Sequence, residues 1–336
     1  MSHNTGTAKL WNDSMKTMKV NLGTHGDVYV CQTRAQRAAQ ANNYKQDVRT
    51  AIDGFPCVVF YQNSIADELI YMGQFNFNND KSTESVFGFK DIIVDGNKIF
   101  DASDVECWEF TNNAHRLGLF TATDFTTPEL DEDGNDCEAW QNAFEGRYPD
   151  GNTDTTHLYA FAQWVNGVSQ ANFATQKWEH LDVWKVAAYY VYLMRHGAVD
   201  QVVKNAMLDT EGYEAYNRNG DTYTSSSKLW FFILYDNDTI HGVINSGELA
   251  LGPRINRDTQ TLAGTYDYAG HESRLWNLLD NDTEFIDTIV PMVDSALYSA
   301  TPGISYDSVI RMYDDEQSSQ WSERLYNFSQ EFKYVK

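Results

Sequence analysis

The densest pattern of apolar positions lies between residues 178 and 239. Over 178–195, Leu181, Trp184, Ala188, Val191 and Arg195 recur every three to four residues, which predicts a helix with one mostly apolar stripe. Gly197 ends it. The following loop, 198–205 (AVDQVVKN), sets an acid, Asp200, and an amide, Asn205, five positions apart, ahead of an apolar segment at 206–208. A polar, Gly- and Asn-rich excursion over 209–228 reads as a β-hairpin. After it, 229–235 (LWFFILY) is a continuous apolar and aromatic run suited to a buried strand, with Asp236 and Asp238 at its end.

On either side of this stretch the pattern is less dense. Residues 1–27 are polar with scattered apolar positions and turns at 21–23 and 25–27, before a short strand at 28–31. Residues 33–52, rich in Ala, Gln and Arg, favour helix. The runs 56–61 and 69–73 read as an antiparallel pair, and 74–81 alternates polar with apolar residues and ends in Lys81. Further sheet is predicted at 86–89 and 107–113, with a turn at 95–97. Short helices are predicted at 139–148, on Trp140, Phe144 and Arg147, and at 157–165. Beyond the central stretch, 240–267 reads as a long ordered loop, and helices are predicted at 271–286, 289–297 and 305–313. Strands mostly precede helices, which is an α+β order. It divides the chain into an N-terminal segment at 1–54, a sheet-rich region at 55–150, and a helical region at 151–336 containing the 200–239 stretch.

Composition narrows the functions. At 336 residues and 42% hydrophobic, with 18 Phe, 20 Tyr and 9 Trp, the chain can bury a large aromatic core. Its 48 acidic residues against 25 basic ones give a net charge of -23, which argues against any specific grip on nucleic-acid phosphates. An anionic substrate would need a metal or a local basic pocket. Cys31, Cys57, Cys107 and Cys137 form no C-x-x-C pair and fit reduced thiols of a cytosolic or assembled-particle protein. The start shows no secretory pattern, and no run of eighteen apolar residues suggests a membrane span. The acidic cluster 131–138 lacks the glycine and the final glutamate of an EF-hand loop and reads as a solvated turn. Phosphate loops of the P-loop and Rossmann kinds, and the nucleophile elbow of hydrolases, are absent from the sequence.

The order helix, D-x-x-x-x-N loop, hairpin, strand, aspartate is the order of a kinase-like phosphoryl-transfer site. There the loop aspartate accepts the proton of the attacking hydroxyl, and the asparagine and the later aspartate hold magnesium against the nucleotide phosphates. A hard cation takes oxygen ligands, which carboxylate and amide supply. A purely local reading fits the same residues, since Asp and Asn bond their own backbone in loops. Lys81 likewise suits either a strand lysine that pairs phosphates or a solvated strand edge.

Four short segments, 74–81 (QFNFNNDK), 200–205 (DQVVKN), 230–239 (WFFILYDNDT) and 321–327 (WSERLYN), resemble those of large tail proteins of crAss-like and related gut phages. Those proteins in turn resemble the CotH-type atypical kinases of spore coats. The resemblance spans about residues 55–330 and implies a two-lobed, protein-kinase-like fold with an antiparallel sheet lobe and a mainly helical lobe. Carried over residue by residue, the CotH-type pattern D-R-H-x-x-N implies Asp200 as catalytic acid or base and Asn205 as metal ligand. The later D-x-D implies Asp236 and Asp238 as metal ligands, and Lys81 would meet the nucleotide. The arginine and histidine of the pattern are Gln201 and Val202 here, which removes polar support from phosphoryl transfer. The expected function is therefore a virion structural protein of tail or muzzle type without robust catalysis. Its partners would be other virion proteins and further copies in a ring-like assembly, and it would be made in the host cytoplasm and resident in the virion. The alternative is an active kinase using Mg and ATP to phosphorylate a protein hydroxyl.

Overall fold

The structure, a computed structural model, describes residues 2–44, 48–52, 54–78, 87–110, 139–140, 144–149, 152, 154–196, 198, 201, 206–236 and 274–298. Among these, the chain is α+β, with seven α-helices and five antiparallel sheets. The expected features at 131–138, 240–267, 305–313 and 321–327 lie outside the described residues.

Helix α1 (Ser2–Thr17) occupies a segment whose sequence reads only as polar with scattered apolar positions. Ala8, Trp11, Met15 and, just beyond, Met18 recur at three and four residues, and all four are buried. The ribbon β1 (Val20–Asn21) and β2 (Asp27–Val28) replaces the longer strand expected at 28–31. Helix α2 (Arg34–Ala41) opens with a reciprocal capping box between Thr33 and Gln36 and stops at Asn42, far short of the helix expected through 52. Strands β3 (Gly54–Tyr61) and β4 (Ile70–Asn78) form the expected antiparallel pair, as a two-stranded sheet of its own. Residues 87–89, expected as sheet, are a helical end at Phe87 and a turn at Gly88 instead. Gly88 there has φ +74, and a Cβ on it would stand 2.9 Å from that of Ala35. A tight hairpin follows, β5 (Ile92–Val94) and β6 (Asn97–Phe100), with Asp95 and Gly96 both at positive φ.

The central sheet starts with β7 (Glu106–Phe110), β8 (Ala139–Trp140) and β9 (Phe144–Tyr148). The helix predicted over 139–148 is corrected here to two strands, because pairing of β9 with β7 outweighs a spacing that only three residues carry. After helices α3 (Thr156–Gly167), α4 (Gln170–His180) and α5 (Val183–His196), the sheet resumes with β10 (Ala206–Thr210). The expected hairpin is β11 (Glu214–Tyr216) with β12 (Thr222–Thr224), and β13 (Trp230–Leu234) completes the sheet in the order β13-β10-β7-β9-β8. Strands from both sides of position 150 thus share one hydrogen-bonded ladder through the β7–β10 pair. Helix α6 (Arg274–Asp280), a π-helical turn (Phe285–Ile289) and α7 (Val290–Tyr298) stand where two helices were expected, and Asp282 caps the π turn by accepting from the Phe285 amide at 2.8 Å.

The single helix expected across 178–195 is two. Leu181 is extended and Asp182 caps α5, its carboxylate accepting from the Lys185 amide at 3.3 Å. The stripe reading also understates α5: every residue from Val183 to Leu193 is buried, so the helix is enclosed on all sides. Around it the aromatic core closes, with Tyr189 stacked on Phe232 at 4.9 Å and on Trp276 at 6.2 Å. Strand β13, buried throughout, would leave an open sheet edge. Its outer side is covered at both ends, by the Asp182 amide on the Trp230 carbonyl and by Leu234 bonded to Thr50 and Ile52. Helix α1 fixes that cover, since Trp11 donates to the Thr50 carbonyl at 2.9 Å and Asn12 accepts from the Thr50 amide at 2.8 Å. No helix among the described residues is long and apolar enough to cross a membrane.

Candidate functional site

The site expected at the end of β13 depends on whether the loop after α5 reaches it. It does, through Gln201. Strands β10 and β13 pair antiparallel up to Ala206 and Leu234, and beyond that pair Tyr235 and Asp236 leave the sheet. Asp236 turns at φ +48, a left-handed conformation that aspartate tolerates better than most residues. Its backbone carbonyl accepts from the side-chain amide of Gln201. The carbonyl of Gln201 in turn accepts from the Tyr189 hydroxyl at 2.8 Å. Gln201 and Tyr189 are both wholly buried, and burial pushes the Tyr189 phenol well up, so it stays a protonated donor. An enclosed helix, a loop glutamine and a strand end are thereby tied in series. The second amide atom of Gln201, Oε1, is buried without a hydrogen-bond donor among the described residues.

Of the expected site residues, Asp236 is described and lies partly buried at this junction. Asp200, Asn205, Asp238 and Lys81 lie outside the described residues. Gln201 entered the sequence reading only as a departure from a pattern, and Tyr189 not at all. A tyrosine inside an otherwise apolar helix run, which must find a partner for its hydroxyl, was the available signal.

Three buried ammonium groups are each committed to carboxylates. Lys185 meets Asp182 at 3.0 Å and Glu211 at 2.9 Å, and lies 4.0 Å over the Phe231 ring. Glu211 also caps the start of α2, accepting from the Arg34 amide at 2.8 Å. Lys185 and this amide hold its carboxyl below the usual range despite the opposing effect of burial. Lys177 meets Asp282 at 3.0 Å and Glu284 at 2.7 Å, and Lys228 meets Glu106 at 2.5 Å, where His157 also binds at 2.6 Å. His180 is stacked on Trp164 at 4.2 Å, and burial pushes its pKa down to about 4. Cys31, Cys57 and Cys107 are free thiols, and burial pushes Cys31 and Cys107 well above the usual thiol range, which keeps both unreactive. No protein-family model matches the chain, and no curated protein matches it.

Proposed function

We propose that this chain is a structural component of a phage virion, of tail or muzzle type, in which a two-lobed kinase-like core of the CotH kind serves as scaffold. Gln201 carries the reading. It stands where the resembled pattern has an arginine, and it spends its amide on the backbone of Asp236 from a fully buried position. Phosphoryl transfer relies on charged groups aimed at the transferred phosphoryl. At Gln201, Tyr189 and Asp236 the described residues build a packed clamp instead, and the buried lysines neutralise carboxylates of their own. A net charge of -23 suits a component bordering a DNA conduit, since it leaves passing genome unbound. Other virion proteins and further copies of the chain in a ring are its partners.

The second reading, an active Mg- and ATP-dependent kinase, draws on the same contact, because Gln201, the neighbour of Asp200 in the sequence, bonds the strand end at Asp236. In it Asp200 handles the proton, Asn205, Asp236 and Asp238 hold the metal, and Lys81 meets the phosphates. Titration calorimetry with Mg-ATP separates the two: the scaffold gives no binding heat. Phosphoryl transfer to a protein hydroxyl that Asp236→Ala abolishes would establish the kinase. Mass spectrometry of purified particles is expected to find the chain among their proteins, and its absence there overturns the virion reading.

A further inference from the structure

Strands β3 and β4 stand apart from the other described strands in exposing large apolar side chains on both faces. Successive residues of a strand face opposite sides, and a strand that covers a core shows one buried set and one exposed. Val58 and Val59 are 40% and 39% exposed, and Tyr71 and Met72 are 53% and 54% exposed, so both sides of this ribbon present apolar side chains to solvent. Of the eleven exposed large apolar side chains among the described residues, seven lie on its strands and two more, Ile65 and Leu69, in its connecting loop. A free two-stranded ribbon is marginal in water, and a concentrated apolar surface marks a place of interaction. The ribbon is nonetheless shaped in advance. Gln62 donates to the Asp67 carbonyl at 2.6 Å across the connecting loop, the Asp67 amide bonds the Ser64 carbonyl at 2.9 Å, and Phe60 meets Tyr71 edge-on at 5.7 Å. Eight residues at about 3.3 Å each make it an arm roughly 26 Å long.

We infer that this arm is a homotypic docking surface, through which two copies of the chain associate about a two-fold axis. Charge and area select a second copy as occupant. The chain's net charge of -23 sets copies against one another over most of their surface, yet residues 54–78 hold only two charged side chains, Asp67 and Glu68, both in the connecting loop. The strands are the place where two such acidic molecules meet without opposing charges of like sign, and they offer a basic partner no carboxylate to bind. One face of the arm carries Val59, Tyr61, Ile70 and Met72, and the connecting loop adds Ile65 and Leu69. Two-fifths exposed or more, these six each add on the order of 100 Å² of the roughly 200 Å² a large side chain can bury, about 600 Å² per copy. Specific interfaces begin at roughly 600 Å² per partner. A two-fold contact presents each arm with its own apolar side chains. The inference deepens the assembly reading above and rests on it for its biological setting, while its physical content is independent.

Sedimentation velocity on the full chain tests it. The wild type is expected to sediment as a dimer at about 10 µM, and Val59→Glu with Ile70→Glu, which places like charges on the same face of both arms, to raise the dissociation constant at least about 100-fold. A wild type that stays monomeric at about 100 µM overturns the inference, as does a charged variant that dimerises like the wild type. Independently of how that variant folds, and with the ribbon's own free thiol removed by Cys57→Ser, Met72→Cys is expected to give a disulfide-linked dimer under mild oxidation while Asn219→Cys, on an exposed turn, does not. Equal linking by both also overturns it. A monomer found in purified particles would sink the arm pairing alone. A dimer absent from particles would sink the virion reading alone.

Discussion

Asp209 shows how sharply a single buried group can set the pH response of this molecule. It sits in the middle of β10, opposite Cys107 on one side and Phe231 on the other, and is 2% exposed. Its Oδ1 finds no hydrogen-bond donor among the described residues. Burial, with Glu211 nearby, pushes its carboxyl well above the usual range. The folded state therefore holds the proton more tightly than the unfolded one. The stability this gives is complete below the ordinary carboxylate pKa of about 3.9, and it is lost as pH rises through the folded value. Asp209→Asn keeps the shape and removes the charge, so it is expected to raise unfolding stability at pH 8 by about 1–3 kcal/mol. The gain should shrink toward pH 4, and urea denaturation at both pH values measures it. A loss of stability at pH 8 would mean that the carboxylate is satisfied in its place.

At the scale of elements, the molecule is held by ties between segments distant in sequence. Lys177 on α4, fully buried, reaches Asp282 and Glu284 ahead of the π turn and also donates to the Ala174 carbonyl at 2.7 Å. Lys177→Met strands the Asp282 carboxylate in the interior and is expected to cost about 3–5 kcal/mol in urea unfolding. Adding Asp282→Asn, which retains the cap on Phe285 without the charge, should recover at least half of that. If the second change deepens the loss, the cost lies in packing. Such long-range ties separate what was legible in the sequence from what was not. Strand β13 was legible because burial on both faces makes its sequence apolar throughout, and the turn at 95–97, though not the β5–β6 strands beside it, because Asp95-Gly96 favours positive φ. The join of loop and strand end was anticipated from element order alone, but the residue that makes it, Gln201, was not, since a buried glutamine's partner is fixed only by tertiary structure. Strand β9 was misread for the same reason: its pairing with β7 comes from residues far away in the chain. Helix α1 was missed although Ala8, Trp11 and Met15 carried its spacing, because Gly6 and the Asn and Thr residues around them lower helix propensity. The break before α5 had a signal in Asp182, a good N-cap residue, and a long apolar stripe running across it concealed it.

For the whole molecule, the excess of acids is a standing repulsion that the aromatic core overcomes. Raising sodium chloride from about 0.01 M to about 1 M shortens the screening length from about 30 Å to about 3 Å. The melting temperature is expected to rise by roughly 2–4 °C for each kcal/mol of repulsion relieved. A melting temperature that falls with salt would show that the ion pairs of Lys177, Lys185 and Lys228 dominate over the net charge. Helix α5, closed in from Val183 to Leu193, has a consequence in time. Its amide protons meet deuterium only when the entire fold lets go, so their uptake clocks global opening, whereas those of the β3–β4 arm, held by a single two-stranded ladder, trade early while the chain is monomeric. Deuterium labelling of the monomer read by mass spectrometry would therefore find slow and fast amides in two segments that both began as apolar runs in its sequence, one sealed inside the protein and the other at its surface.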